Sequence, residues 1–471
     1  MEDRFYRIPS INTQKLTPEL LNFLGKSSND SYQRDQMKST QTTYQLNDRA
    51  SWDSTQQQLQ TKADRFQNRL RRGANQVSHV RINVGSSNHG FTVGGRVDNT
   101  HGRSAHLATA GNLDNKTVTS VTVVGRDDPT SAESQRALAL LHILQGTVNL
   151  EDNNPWVQWI WLQPPGFAWP WANEVKTPII RFDPSQFPRP LNQSQISAVE
   201  HMLQQTDPTR ITLIQGPPGT GKTTVIASYI QAALQGGQTG IWLLAQSNVA
   251  VKNIAEKLAL FGLFDWKLLV SQDFYVDWHE HLYTDIKSNI IQSQEFSTPG
   301  FLSRELHDCP VILCTLSMIF SPILQRQSVF RYAPLKAVVI DEASQIEIGD
   351  YIPMFTSHKS IRKICFIGDD KQLPPYGQDN NEALQSIFEV EHLRTQALLL
   401  NTQYRMPPQI GDFISQAIYE KQLGSNPEHP VTTDNMACHF INVSLGYEEP
   451  SGKSYKNTGE CKAILKFAAH L

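Results

Sequence analysis

The stretch "ITLIQGPPGTGKTTVIASYIQAAL", residues 211–234, decides the fold. Apolar strand text (211–215) runs into a glycine-rich loop, and the loop opens an amphipathic helix. Gly216, Gly219 and Gly221 leave the loop without Cβ atoms, so its backbone N–H groups can turn toward phosphate oxygens. Pro217, Pro218 and Thr220 complete the loop. Lys222 is placed to reach β- and γ-phosphates and Thr223 to hold Mg²⁺, with Thr224 beside them in the first helical turn. The helix N-terminus adds partial positive charge. This is the P-loop pattern in the strand–loop–helix setting it requires, so a nucleotide with Mg²⁺ is the expected ligand.

Outward from the loop, short apolar runs alternate with helical text. "TGIWLLA" (239–245), "WKLLV" (266–270), "PVILC" (310–314), "KAVVI" (336–340) and "KICFI" (363–367) read as buried parallel strands. With "ITLIQ" they predict a doubly wound α/β domain. A P-loop needs a carboxylate at the end of a neighbouring strand, and "KAVVIDEASQ" supplies it. Asp341 is the candidate Mg²⁺ ligand and Glu342 the candidate base for the attacking water. No [NT]KxD element is present for guanine; "NKTV" at 115–118 lacks the Asp. "HEHLY" (279–283) has Tyr283 where a zinc-protease helix needs His.

Composition sets wider bounds. The 471 residues carry a net charge of −3 and are 39 % hydrophobic, enough for several buried cores without a globally basic surface. No apolar run of about 18 residues appears and the first residues, "MEDRFYRIPS", lack a signal pattern, so the expectation is an intracellular protein of cytoplasm or nucleus with no membrane partner. The five cysteines include no CxxC pair, which argues against a disulfide framework.

The domain divisions read from the text are four. Residues 1–77 are polar, partly disordered or helical, with a helix expected over 55–73 ending in the basic cluster Arg69, Arg71 and Arg72. Residues 78–188 are β-rich from "HVRINV", "GFTVGGRV" and "TVTSVTVVGR". "TSAE" (130–133) then marks a capped helix. Next comes a segment holding Trp156, Trp159, Trp161, Trp169 and Trp171, five of the nine tryptophans. Those indoles suit stacking on bases or packing between domains. Residues 189–398 form the P-loop domain, with an inserted subdomain about 271–307, and 399–471 begin another domain.

"GDDKQLPPYGQ" (368–378), "DEASQ" and "QYRM" (403–406) together resemble superfamily 1 helicases of the nonsense-mediated-decay type, in the 5′→3′ branch. "LNQSQISAV" (191–199) resembles that family's Q motif, "LLAQSNVAVKNIAEKL" (243–258) its motif Ia and "ILCTLSMI" (312–319) its motif Ic. The resemblance covers about 190–425 and implies a RecA-like motor domain using ATP and Mg²⁺ to move along single-stranded RNA or DNA. By the resemblance, Gln195 reads the adenine edge and Tyr404 packs on the adenine. Gln372 senses the γ-phosphate, and Arg405 is an arginine finger, the alternative for it being an interdomain salt bridge. Ser247, Asn248 and Thr315, short polar residues at strand ends, are the candidate nucleic-acid contacts, with helix capping as the other reading of Ser247. The β-rich region is similar in position to the small accessory barrel of such helicases.

"SYKNTGECKAILKF" (454–467) resembles the early helix of the family's second RecA-like domain, and no later motif follows. The expectation is therefore a helicase truncated in that domain, a fragment or a shortened gene product, with weak or no unwinding by this chain. The other reading is a non-motor nucleic-acid-binding scaffold with vestigial ATP binding.

Overall fold

Alternating polar and apolar residues before position 130 build an antiparallel sheet in the computed structural model. The structure describes residues 11, 13, 16–46, 50–62, 70, 79–84, 91–101, 104–114, 116–150, 154–171, 180, 182–187, 190–271, 284–431, 441–451 and 454–469. The chain divides into two compact units. One comprises residues 1–36, 129–272 and 280–437, and the other 37–128, 273–279 and 438–471.

In the second of these, seven strands form the sheet: β1 (Gln41–Gln45), β2 (Ala50–Asp53), β3 (Gln58–Lys62), β4 (His79–Val84), β5 (Phe91–His101), β6 (Ser104–Thr109) and β7 (Val118–Val124). Their order is β1-β7-β4-β5-β6-β3-β2. Inward side chains Leu59, Val97, Leu107 and Val121 form its core. The sheet thus begins well inside the region read as polar and helical. The helix expected over 55–73 is overturned where the structure describes it. Gln58–Lys62 alternates half-buried or exposed positions with the buried Leu59 and Thr61 at period two and pairs with β2 and β6, so cross-strand burial of Leu59 and Thr61 overrides the helix-forming glutamines. Arg69, Arg71 and Arg72 lie outside the described residues, as do "HEHLY" and Cys438. The "SYKNTG" stretch forms a hairpin strand, Ser454–Asn457, followed by a helix over Thr458–Ala468 capped by the Asn457 side chain.

The larger unit is built on a parallel sheet: β8 (Ile211–Gln215), β9 (Ile241–Ala245), β10 (Trp266–Val270), β11 (Ile290–Gln292), β12 (Val311–Thr315), β13 (Ala337–Asp341), β14 (Lys363–Gly368) and β15 (Leu398–Leu399). The order is β11-β10-β12-β9-β13-β14-β8-β15. β9, β12, β13 and β14 are buried along their whole length, the mark of a sheet covered on both faces. The strands read from the text are all present, shifted by a residue or two. β11 was not foreseen: Ile290–Gln292 pairs with β10 and extends the sheet, so the part of the expected insertion after residue 284 is an edge of the sheet layer. Polar text around two isoleucines hid so short a strand.

Helix α1 (Pro18–Met37) and helix α2 (Ser131–Leu144) precede the parallel sheet and belong to its unit up to Gln36 and from Pro129. α2 opens on the capping box read from "TSAE": Glu133 N donates to Thr130 Oγ1 at 3.2 Å and Thr130 N to Glu133 Oε2 at 2.7 Å. Fully buried Arg136 of α2 donates to Glu347, to Asp350 Oδ1 at 2.9 Å and to Ser27 O at 2.7 Å. Arg34 of α1 donates to both Asp350 oxygens at 2.9 Å. Burial works to raise the Asp350 carboxyl, but Arg34 and Arg136 outweigh it and hold the group below the usual carboxylate range. Two helices from the start of the chain are thus clamped to the turn that follows "DEASQ".

The tryptophans resolve as packing. Trp156 and Trp169 are buried, with ring centroids 4.9 Å apart, and Trp156 stacks on Phe355 at 6.0 Å. Trp171 lies under the Arg210 and Arg362 guanidiniums at 5.0 and 4.6 Å. The cluster seats the segment on the parallel-sheet unit and leaves its indoles engaged.

Candidate active site

The remaining helices that shape the site are α3 (Gln193–Leu203), α4 (Lys222–Gln235), α5 (Asn248–Leu260), α6 (Ile352–Ser357) and α7 (Pro408–Ile418). β8 ends at Gln215, and the loop turns back so that Gly216 N donates to Gly368 O at 2.8 Å. Gly219 and Gly221 take φ of +77° and +88°, conformations that exclude ordinary side chains, and Gly221 leads directly into α4. Each of the three glycines also has a close neighbour. A Cβ at 216 would lie 2.4 Å from Lys222 Cγ, one at 219 would lie 2.5 Å from Arg405 Cβ, and one at 221 would lie 2.7 Å from Gln195 Nε2.

These contacts gather most of the residues singled out in the sequence around an open cleft of ≈ 580 Å³. Its lining includes Gln195, Pro217, Gly219, Gly221, Lys222, Thr223, Thr224, Asp341, Glu342, Tyr404 and Arg405. Lys222 Nζ donates to Gly216 O at 2.9 Å and stands 3.8 Å from Glu342 Oε1. Tyr404 N donates to Gly219 O at 2.9 Å, so the "QYRM" segment is hydrogen-bonded onto the glycine loop. The Tyr404 hydroxyl accepts from Asn192 Nδ2 at 2.8 Å. Arg405 is exposed, and among the described residues it makes no ion pair, so the salt-bridge alternative has no partner there.

Asp341 closes β13 and is buried, with Oδ1 accepting from Glu342 N at 3.0 Å. Burial first, and then the adjacent Glu342, push its carboxyl up to about 7 against the opposing pull of Lys222 and the Glu342 N–H. Glu342 itself sits at φ +52°, ψ +37°, a left-handed conformation that a side-chain-bearing residue holds only when its surroundings impose it. Asp341, Glu342 and Thr223 line one cleft, and their oxygens are the donor chemistry that Mg²⁺ takes.

Three sequence readings change on contact with the geometry. Gln195 is only 5 % exposed, and its amide is already engaged: Oε1 accepts from Asn192 N at 3.0 Å and Nε2 donates to Thr220 O at 2.9 Å. It fastens the glycine loop to the start of α3 and keeps one N–H and one lone pair for a base edge. Gln372 stands outside the cleft lining, with Nε2 donating to Asp369 Oδ2 at 2.7 Å. Thr315 is buried, and its hydroxyl accepts from Met318 N at 3.2 Å as a helix cap, which leaves little for a phosphate. Ser247 likewise caps α5 through Ala250 N at 3.1 Å but is exposed, and Asn248 follows it in the first turn. Ala245, Thr315 and Asp341 lie at one level of the sheet's C-terminal edge.

The sequence reading missed Asn192, Asn253, Glu256 and Lys257, which also line or brace the cleft. Asn192 had a signal, since "NQSQ" is an N-cap followed by Gln at the third helical position, and the box forms. The others lie on the exposed side of a helix and carry no local pattern.

Two AAA domain families match the sequence, one over residues 190–270 and 278–377 and the other over 382–471. The chain belongs to the superfamily 1 helicases. The parallel sheet with its P-loop and DE pair is that superfamily's RecA-like fold. A regulator of nonsense transcripts 1 homolog from Arabidopsis thaliana is 31 % identical over 344 residues, 63 % of this chain and 26 % of that protein. The DNA replication ATP-dependent helicase/nuclease DNA2 of Homo sapiens is 30 % identical over 266 residues, 55 % of this chain and 23 % of that protein. The structure of PRRSV helicase aligns over 78 % of this chain and 50 % of that chain at 14 % identity and a TM-score of 0.26. The chain spans about a quarter of the length of the curated relatives it matches.

Proposed function

We propose that the chain is an ATP-dependent translocase on single-stranded nucleic acid, with the cleft as its ATP site. The observation that carries this is the docking of "QYRM" on the glycine loop, through the Tyr404 N–H bond to Gly219 O and the contact of Gly219 with Arg405. A P-loop alone would suit many nucleotide enzymes; an arginine held against it from a segment beyond "GDDKQLPPYGQ" is the arrangement of a motor.

In this reading Lys222 and the loop N–H groups bind the phosphates, and Thr223 and Asp341 hold Mg²⁺, which supplies charge neutralisation on the phosphate oxygens. Glu342 takes the proton of the attacking water. Its left-handed backbone turns its carboxylate to within 3.8 Å of Lys222, at the phosphate end of the cleft. Arg405 stabilises charge on the transferring phosphoryl group, and Tyr404 covers the adenine. Nucleic acid crosses the C-terminal edge of the sheet at Ser247 and Asn248. Relatives are named for RNA and for DNA, so both strands belong in the assay.

The test is ATP hydrolysis by residues 1–471 with and without single-stranded RNA or DNA, beside Lys222→Ala. Strand-stimulated hydrolysis that Lys222→Ala abolishes is the expected result. ATP and strand binding with no hydrolysis under any condition would instead make the chain a scaffold. Unwinding of a 5′-tailed duplex by this chain is expected to be weak beside its hydrolysis.

A further inference from the structure

Asp369, at the end of β14, is fully buried yet accepts three hydrogen bonds. Lys371 N donates to Oδ1 at 3.2 Å, Gln372 Nε2 to Oδ2 at 2.7 Å, and the Tyr419 hydroxyl to the same Oδ2 at 2.6 Å. The Asp369 N–H donates to Ser344 Oγ at 3.2 Å, within the "DEASQ" segment. Asp369 therefore joins the DE turn through its N–H, and the glutamine of "GDDKQLPPYGQ" and a distant tyrosine through its carboxylate.

The position of that tyrosine gives the cluster its meaning. Tyr419 terminates α7, the helix that begins at Pro408, directly after "QYRM". The chain beyond it is strained: Glu420 and Lys421 have φ of +52° and +64°. Lys421 N returns to Ser415 O at 2.9 Å, closing the helix where glycine is the usual residue. Backbone persists in such a conformation only where its surroundings impose it. One helix thus starts beside the arginine on the glycine loop and ends with a hydroxyl on the aspartate that holds Gln372.

We propose that Tyr419 is a positioning residue for Gln372. Its hydroxyl, through Asp369, sets the orientation of the glutamine amide, so that α7 moves Arg405 and Gln372 together. This rests on the ATP-site reading above. With Tyr419 in place, Gln372 Nε2 is tied to Asp369 Oδ2, which fixes the plane of an amide that lies outside the cleft lining in this structure. Without the hydroxyl, Asp369 has one donor fewer and the 369–372 turn loosens.

Tyr419→Phe keeps the ring and removes only the hydroxyl. The expected result is a strand-stimulated kcat lower by about tenfold, typical of one lost hydrogen bond to a charged group, with the KM for ATP unchanged. Tyr419→Phe added to Gln372→Ala should cost nothing further, because both act through one amide. Amide hydrogen exchange across 369–376 should accelerate in Tyr419→Phe by more than exchange in the buried strands of the parallel sheet, which marks a local loosening of the turn beyond any global loss of stability. Additive loss in the double variant, a raised KM with unchanged kcat, or unchanged exchange at 369–376 would overturn the proposal. If the unaltered chain hydrolyses no ATP, the ATP-site reading fails, and hydrogen exchange still decides whether Tyr419 fixes the turn.

Discussion

At the scale of single residues, Gly219 is required twice over, by its backbone angle and by Arg405. Gly237 also has positive φ, at +71°, but its missing Cβ would meet open space. The two glycines separate strain from contact. Both Gly219→Ala and Gly237→Ala should lose roughly 1 kcal/mol of stability to backbone strain. Gly219→Ala alone should also push Arg405 away and lower kcat at least tenfold. Wild-type turnover in Gly219→Ala would mean that the docking seen here has no part in catalysis. The glycines, Lys222 and the DE pair were legible in the text because their chemistry is local to a few consecutive residues. The link between Asp369 and Tyr419 was not, since their hydrogen bond spans 50 positions and only Asp369, in "GDDKQLPPYGQ", sits in a recognisable pattern. The reading of Gln195 assigned it to the adenine edge, and in the structure its amide also fastens the loop to the start of α3. Sequence shows an amide in the right place but not which of its hydrogen bonds are already taken.

At the scale of elements, the clamp of α1 and α2 onto the turn after "DEASQ" is a buried charge network. Removing one member leaves the others uncompensated, which costs about 3–5 kcal/mol at buried sites. Arg136→Met is therefore expected to destabilise strongly, because Glu347 and Asp350 both depend on it. Arg34→Met should cost less, because Arg34 keeps 12 % of its side chain in solvent. Chemical denaturation of the two variants checks the order. A loss below about 1 kcal/mol for Arg136→Met would show that the network is not a clamp. The element types in the parallel sheet were legible because buried strands read as continuous apolar runs. β1, β2, β3 and β11 were not. Each is short, polar or both, and becomes a strand only through its neighbours. The tryptophans offered two physical readings, and only tertiary packing against Phe355 and the arginines chose between them.

At the scale of the whole molecule, stability should depend on pH through His358. Burial holds its imidazole down at about 4 from an ordinary 6.5. Between those values the unfolded chain binds the extra proton, so the contribution is intact above pH 6.5 and fades as pH falls toward 4. By linkage about 2 kcal/mol is gone at pH 5. His358→Met should flatten the difference in denaturant stability between pH 7 and pH 5 by about that amount, and an unchanged difference would contradict the burial argument. Among the described residues no helix is long and apolar enough to cross a membrane.

The central claim, that the "QYRM" segment completes the ATP site, is tested most directly by Arg405→Ala. The measurements are nucleotide binding and single-turnover hydrolysis in the presence of single strand. Removing an arginine finger costs ~10³–10⁵ in turnover, so ATP binding should stay close to wild type while hydrolysis falls by at least about a thousandfold. Hydrolysis at the wild-type rate would mean that Arg405 lies beside the loop without acting on the phosphoryl group, and the site would have to be built without it.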